Sequence, residues 1–369
     1  MKKSFAEILK GMDTAREKKI SKKLPDWAGD SSLEYPGDLC LEQCSSSATA
    51  RYKANLIAPL GCKTLTDITG GLGVDSYAFS KVVEKVNYNE QNTELAQAAE
   101  RNFKRLGADN ISVRNITVDS GTDIPESDII YADPARRSAS GKKVFMLEDC
   151  TPDILTLLPK LFEKAPVLLF KLSPMADICI LHKKFAGHLR HLHIVSAAGE
   201  VKEILCQLDR NTDDSYDITV ADAITEESMV FTPEEEERAV RKDAPQPWGD
   251  VLTEPGAALL KAGAFKLLCQ RFNLEKIAPS THLYINRERV RTPLCKSFVI
   301  KEISDFSKAS LKEIRSRYPK AEVSARNIPM SSDGLRKKLG IAPGGDTHIF
   351  GCGTVDRKNI LIICGPADF

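Results

Sequence analysis

Four carboxylates recur at the ends of short apolar runs: Asp67, Glu90, Asp119 and Asp133. Asp67 opens the stretch Asp67-Ile68-Thr69-Gly70-Gly71-Leu72-Gly73-Val74-Asp75, which reads as a strand, a glycine loop and the start of a helix. Glycine has no side chain to block a ligand's close approach. Such turns are common, so the loop gains meaning only from the carboxylates spaced after it in register. Glu90 lies roughly 20 residues on, where a carboxylate can bind ribose hydroxyls; a surface charge is the plain alternative. Asp119 either accepts a bond from an adenine amine or caps a helix. Asp133-Pro134-Ala135-Arg136-Arg137 places an acceptor beside a reacting group. Arg136 and Arg137 either stack on a substrate or hold its phosphate, or form salt bridges on the loop. Lys171, in Lys171-Leu172-Ser173-Pro174, either lines the same pocket or pairs with Asp133. In this order the residues point to a nucleoside-containing cofactor and a polar reaction site.

The elements that must position them alternate between strands and helices from residue 58 to about 210. Strands are expected at Thr64–Ile68, Val86–Asn89, Ile111–Val118, Asp128–Ala132 and Val167–Leu172. Between them, Thr93–Gly107 carries apolar residues at helical spacing and ends on a glycine stop. Repeated strand-helix units predict a parallel sheet covered on both faces, with ligands at the carboxyl ends of its strands. His191–Ala197 and Val201–Leu208 read as a closing hairpin. Residues 1–57 read as a peripheral helical segment. Its basic run, Arg16-Glu17-Lys18-Lys19 with Lys22-Lys23, fits a solvated face better than an RNA contact, and Ser45 to Ser47 offer N-caps. Residues 211–253 read as an acidic linker with a short strand or two. Residues 254–369 read as a small α+β domain, with helices over Glu254–Leu274 and then strand, helix, strand, helix and two strands.

Bulk properties exclude several classes. A chain of 369 residues exceeds one typical domain. A net charge of +1 is not that of a uniformly basic nucleic-acid binder, although it allows a local basic face. The ten cysteines form no Cys-x-x-Cys pair and no zinc-ligand spacing, so no metal is expected. Many scattered thiols suit a cytoplasmic protein. The N-terminus lacks a signal-peptide core, and no apolar run reaches the roughly 18 residues of a membrane span.

The region from about 40 to 210 resembles the class I methyltransferases that depend on S-adenosyl-L-methionine. Their first motif is Asp/Glu-x-Gly-x-Gly-x-Gly; here Asp67-x-Thr69-x-Gly71-x-Gly73 departs at the first glycine. A similar Asp-x-Thr-x-Gly-Leu-Gly-x-Asp loop occurs in bacterial enzymes that methylate guanine N2 in small-subunit ribosomal RNA. A nicotinamide dehydrogenase is the rival for the loop alone, but Asp133-Pro134 fits methyl transfer better. The resemblance implies a Rossmann-like, seven-stranded α/β sheet. It also implies that Thr69, Gly71, Gly73, Glu90 and Asp119 lie at the cofactor, with Asp67 bracing the loop and Asp75 near the methionine end. Related enzymes carry Asp/Asn-Pro-Pro-aromatic at the reaction site. There the first side chain and the proline carbonyl accept bonds from an exocyclic amine. Asp133 and Pro134 match, and Arg136 stands near the place of the missing aromatic.

Carbon-5 pyrimidine methylation needs a cysteine nucleophile, and neither motif holds one; Cys150 reads as a packed helix residue. Nitrogen methylation needs only positioning and acceptors. From Arg287 to Lys338 there are fourteen Lys/Arg against six Asp/Glu, which suits phosphate contacts or, equally, a solvated surface. Arg326–Met330, Leu335–Leu339 and Gly344-Gly345-Asp346 resemble the THUMP-like, ferredoxin-like tail of a bacterial group with an Asp-Pro-Ala-Arg methyltransferase domain. The expectation is therefore a methyltransferase acting on a base nitrogen in rRNA or tRNA, with RNA as partner. The rivals are a small-molecule or protein substrate, or a non-catalytic RNA-binding protein that keeps the fold.

Overall fold

A computed structural model describes residues 5–136, 147–185, 187–211, 215–244 and 249–366. The chain forms two compact units, Met1–Glu226 and Glu227–Phe369.

In the first unit the strands are β1 (Thr64–Asp67), β2 (Lys85–Glu90), β3 (Ile111–Asn115), β4 (Ile129–Ala132), β5 (Ala135–Arg136), β6 (Cys150–Thr151), β7 (Val167–Leu172), β8 (Leu189–Ala197), β9 (Glu200–Asp209) and β10 (Asp217–Asp222). Eight strands of this unit lie in one sheet in the order β10-β8-β9-β7-β4-β1-β2-β3. Strands β3, β2, β1, β4 and β7 are mutually parallel, whereas β9 is antiparallel to both β7 and β8. These are the seven expected strands, and β10 extends them by a parallel partner for β8. Central β4 buries all four of its residues, as a strand covered on both faces must. Leu65, Val86, Ile129, Tyr131 and Leu169 form the core with Phe79.

The N-terminal helices belong to this unit. Ala54 and Ile57, from the helix Ser47–Ile57, join the sheet core. Leu24, Trp27, Leu33 and Leu41 pack with Leu72 and Val74 of the glycine loop. Ser46 is the N-cap, in a reciprocal capping box with Thr49. That leaves the Ser45 side chain for another partner. Cys150, expected in a helix, instead lies in β6, fully buried and opposite Arg136 of β5. A two-residue strand has no periodicity by which sequence could reveal it.

The second unit contains β11 (Ser228–Phe231), then the helix Pro233–Arg238, which absorbs the four-glutamate run of the expected linker. Thr232 and Glu235 close a capping box there, and acidic residues suit the positive start of a helix. Then come β12 (Val251–Pro255), β13 (Glu275–Ala278), β14 (Thr281–Asn286), β15 (Cys295–Asp305), β16 (Glu322–Arg326), β17 (His348–Gly353) and β18 (Asn359–Pro366). They form a seven-stranded sheet ordered β13-β14-β12-β15-β18-β17-β16. Glu254, expected to begin a helix, lies within β12; the helices of that stretch are Ala257–Ala262 and Leu267–Arg271. Among the described residues no helix is long and apolar enough to cross a membrane.

Candidate active site

The glycine loop is held from several sides. The Thr69 N–H donates to Asp67 Oδ1 at 2.9 Å, and the Ser76 hydroxyl donates to Oδ2 at 2.6 Å. Asp67 is 1% exposed, and burial pushes its pKa up to about 7 against the lowering effect of those two bonds. The Gly71 N–H donates to Glu90 Oε2 at 2.8 Å, and the Asn92 N–H to Oε1 at 2.7 Å. Gly73 sits at φ +85°, and a Cβ there would lie 2.5 Å from the Phe103 ring. A Cβ on Gly70 would strike Tyr88 at 2.1 Å. The glycine at position 70 is thus demanded by the protein's own packing, not by a ligand's approach.

The end of β4 is tied to the same loop. The Asp133 N–H donates to Thr69 Oγ1 at 2.6 Å. Lys171, at the end of β7, donates from Nζ to Asp133 Oδ2. Burial works against the Lys171 ammonium, but Asp133, Asp75 and Glu203 outweigh it and raise its pKa above the ordinary lysine value.

Behind this surface lies a buried charge cluster that sequence reading missed. Lys53 is wholly buried; its Nζ lies 2.7 Å from Glu203 Oε1 and 3.2 Å from Asp75 Oδ1. Ser45 and Tyr131 each donate to Asp75 Oδ2 at 2.8 Å. Burial opposes ionisation of Asp75, but Lys53, Lys171 and those two hydroxyls hold its pKa below the usual value. Burial raises the pKa of Glu203, with Lys53 and Lys171 opposing. One signal for the cluster was available. Lys53 shares a helix face with Ala50, Ala54 and Ile57, all buried, and a lysine on an apolar face needs a partner.

These groups surround a cleft of about 690 Å³, a size suited to a small-molecule ligand. Asp67, Thr69, Gly71, Gly73, Asp75, Glu90, Asp133 and Lys171 all line it. Leu95, Ile116 and Val118 add apolar wall. Asp119 does not line it. Its Oδ1 instead accepts the Gly121 N–H and the Thr122 hydroxyl, both at 2.8 Å, within an exposed turn. Pro134 follows directly on Asp133 but is not among the lining residues. Arg136 is placed by its backbone in β5, and Arg137 lies outside the described residues. Among the described residues no group of three or more His, Cys, Asp or Glu side chains could hold a metal ion.

The donor set fits a nucleoside cofactor. Each Glu90 oxygen already accepts one backbone N–H and keeps lone-pair capacity for a hydroxyl. The apolar wall of Leu95, Ile116 and Val118 completes the cradle.

Along nearly its whole length, the chain is similar to a solved structure from Porphyromonas gingivalis W83 described as a methyltransferase. Identity is 33%, the match covers 95% of this chain and 88% of that one, and the TM-score is 0.82. The chain belongs to this methyltransferase family. A ferredoxin-like domain family matches residues 252–292, and a THUMP domain-like family matches 295–366, both within the second unit. More distant likenesses include a ribosomal protein L11 methylase from Lactobacillus delbrueckii subsp. bulgaricus, at 16% identity. It covers 50% of this chain and 84% of that one, with a TM-score of 0.35. Another is the T. thermophilus 16S rRNA N2 G1207 methyltransferase, in complex with AdoMet and guanosine, at 13% identity. It covers 49% of this chain and 45% of that one, with a TM-score of 0.34. No curated protein matches the chain. In this methyltransferase the strand order and the cleft at the carboxyl ends follow the rule for open α/β sheets.

Proposed function

We propose that this methyltransferase uses S-adenosyl-L-methionine to methylate a base nitrogen in RNA, either rRNA or tRNA. The observation that carries the reading is the meeting of Glu90, the glycine loop and Asp133 in one cleft. When bound, the cofactor supplies an electrophilic methyl group on a positively charged sulfur. Glu90 and the Leu95, Ile116 and Val118 wall hold its nucleoside, and Asp67 fixes the loop through Thr69 and Ser76. Asp119, engaged in its own turn, is left out of this binding set.

At the acceptor end, Asp133 orients an exocyclic amine by accepting its N–H bonds, whereas Pro134, off the cleft wall, is left out of this set. Lys171, also on the cleft wall, holds the Asp133 carboxylate by donating to Oδ2. No cysteine nucleophile is needed, because the acceptor nitrogen carries its own lone pair and gains from positioning alone. Cys150, buried in β6, is not a lining residue of the cleft.

RNA as substrate is supported by the second unit. Arg287, Arg289 and Arg291 line a concavity of about 1,100 Å³ there. Clustered arginines on a concave face suit phosphodiester contacts. Transfer of tritium from labelled cofactor into purified cellular RNA tests the reading. Label entering only protein or small metabolites would remove RNA as the substrate. A folded protein that binds no cofactor by calorimetry would remove the enzyme reading for this cleft.

A further inference from the structure

The concavity of the second unit differs from the rest of that unit's surface. Elsewhere its arginines are held by carboxylates: Arg271 by Glu235, Arg317 by Glu302 and Arg326 by Glu254. Arg287, Arg289 and Arg291, on the loop between β14 and β15, are all exposed and all line the concavity. Among the described residues none of the three has a partner for its guanidinium. Asn286, at the root of that loop, lines the same concavity and is only 9% exposed. Its Oδ1 accepts the Thr253 hydroxyl at 3.0 Å, whereas its Nδ2 has no partner among the described residues. That nitrogen is not sealed from solvent, so its donors open into the concavity. An amide fixed at one end meets an acceptor at the other with little further loss of freedom.

The rest of the wall narrows the ligand. Phe272 is half-buried and presents part of its ring to the concavity. Lys242 is taken up by Glu275 at 3.0 Å. Counted in full, the lining side chains carry four positive charges (Lys242, Arg287, Arg289, Arg291) and three negative ones (Asp250, Glu275, Glu288). Net charge therefore does not make the site; unpaired donors beside unpaired acceptors do. A duplex backbone offers phosphates alone, and Asp250 and Glu288 repel it. A nucleotide of a single strand offers phosphate to the guanidiniums and the amide, hydroxyl and amine donors to the carboxylates, and an open base face to Phe272.

We propose, resting on the reading of this chain as an RNA methyltransferase, that the concavity is a second binding site for a single-stranded segment of the substrate RNA. Arg287, Arg289, Arg291 and Asn286 hold its phosphates, and Phe272 stacks one of its bases.

The test uses the full chain and a fluorescein-labelled RNA of about twelve nucleotides, within the usual reach of such sites. Anisotropy gives its Kd alone and paired with its complement. The single strand should bind about tenfold more tightly than the duplex. The triple variant Arg287→Gln/Arg289→Gln/Arg291→Gln should flatten the slope of log Kd against log salt by about 2, at about 0.7 for each single-strand phosphate released. Phe272→Ala should weaken binding about tenfold and leave that slope unchanged. Asn286→Asp keeps an oxygen for Thr253 but puts a carboxylate where the donors stood, and should also cost about tenfold. The three arginines are exposed and unpaired, so their loss should leave the unfolding midpoint at its wild-type value. Duplex bound as tightly as the single strand, or a folded triple variant with the wild-type slope, would overturn the site. So would a wild-type chain that labels RNA yet binds neither probe. Tritium entering only protein or metabolites would instead overturn the reading of RNA as the substrate.

Discussion

The Thr69 hydroxyl accepts the backbone N–H of Asp133 at 2.6 Å, which joins the loop after β1 to the motif after β4. Thr69 stands where the common first motif of class I methyltransferases has a glycine. A glycine could not make this link. The two halves of the proposed reaction site, one for the methyl donor and one for its acceptor, are thereby held in a fixed relation. Thr69→Val keeps the shape but leaves the Asp133 N–H without its partner. The expected cost is about 1–3 kcal/mol in unfolding free energy. Turnover should fall more than cofactor affinity, and Thr69→Ser should restore both. Unfolding curves beside single-turnover rates check this; a Thr69→Val enzyme with wild-type turnover would remove the link from the mechanism.

Lys171 and Asp133 form an ion pair at the proposed acceptor end of the cleft. Asp133→Ala should abolish methyl transfer while cofactor affinity stays within a few-fold. Lys171→Met leaves Asp133 without the ammonium that orients it, so turnover should fall by about a hundredfold, in line with the loss of a positioning group. Removing both should cost little more than removing Asp133 alone, because members of one unit are not additive. Rates of the two single variants and the double variant, compared as a cycle, decide the matter. Simple additivity would show that the ion pair is structural.

Gly71 and Gly73 both have positive φ, at +57° and +85°, but differ in surroundings. A Cβ at 71 meets nothing closer than 3.9 Å, whereas one at 73 would lie 2.5 Å from Phe103. Gly71→Ala should therefore cost only the left-handed backbone penalty, about 1–2 kcal/mol. Gly73→Ala should cost more, since the Phe103 ring must also move, and Phe103→Leu in the same chain should recover part of the difference. Chemical denaturation of the three variants measures it. Equal costs at 71 and 73 would contradict this packing.

Two buried groups give the first unit opposing pH dependences. Burial lowers the pKa of His193 to about 4, with its Nδ1 3.0 Å from the Tyr52 hydroxyl. The unfolded imidazole takes up a proton near 6.5, so stability falls as pH drops from about 6.5 to 4. Asp67 keeps its proton in the fold up to about 7 but loses it near 3.8 when unfolded. Its contribution therefore falls as pH rises across nearly the same window. Each is worth about 3–4 kcal/mol at full effect, with opposite sign. His193→Gln should leave a unit that loses stability as pH rises from about 4 to 7; Asp67→Asn should leave one that gains it. Urea unfolding, followed by Trp27 fluorescence in a Trp248→Phe background, reads both slopes. Two variants with the same slope would refute the opposition.

The sequence by itself determined the order of the fold and most of the cleft. Short apolar runs ending in polar turns placed β1, β2, β4, β7, β8 and β9, because strands buried on both faces leave an unmistakable hydrophobic signature. Their carboxyl ends then collected Asp67, Glu90 and Asp133, since a parallel sheet sends all of those ends to one side. Only the tertiary structure decided what each residue touches. It turned Asp119 into its own exposed turn, gave Gly70 to Tyr88 rather than to a ligand, and made Thr69 the tie to Asp133. It also assembled Ser45, Lys53, Asp75 and Glu203, which stand 30 and 150 residues apart along the chain, into one buried cluster. Periodicity reports which face of an element is buried. It carries no information about which distant polar groups meet there, because that is set by how the N-terminal helices pack on the sheet.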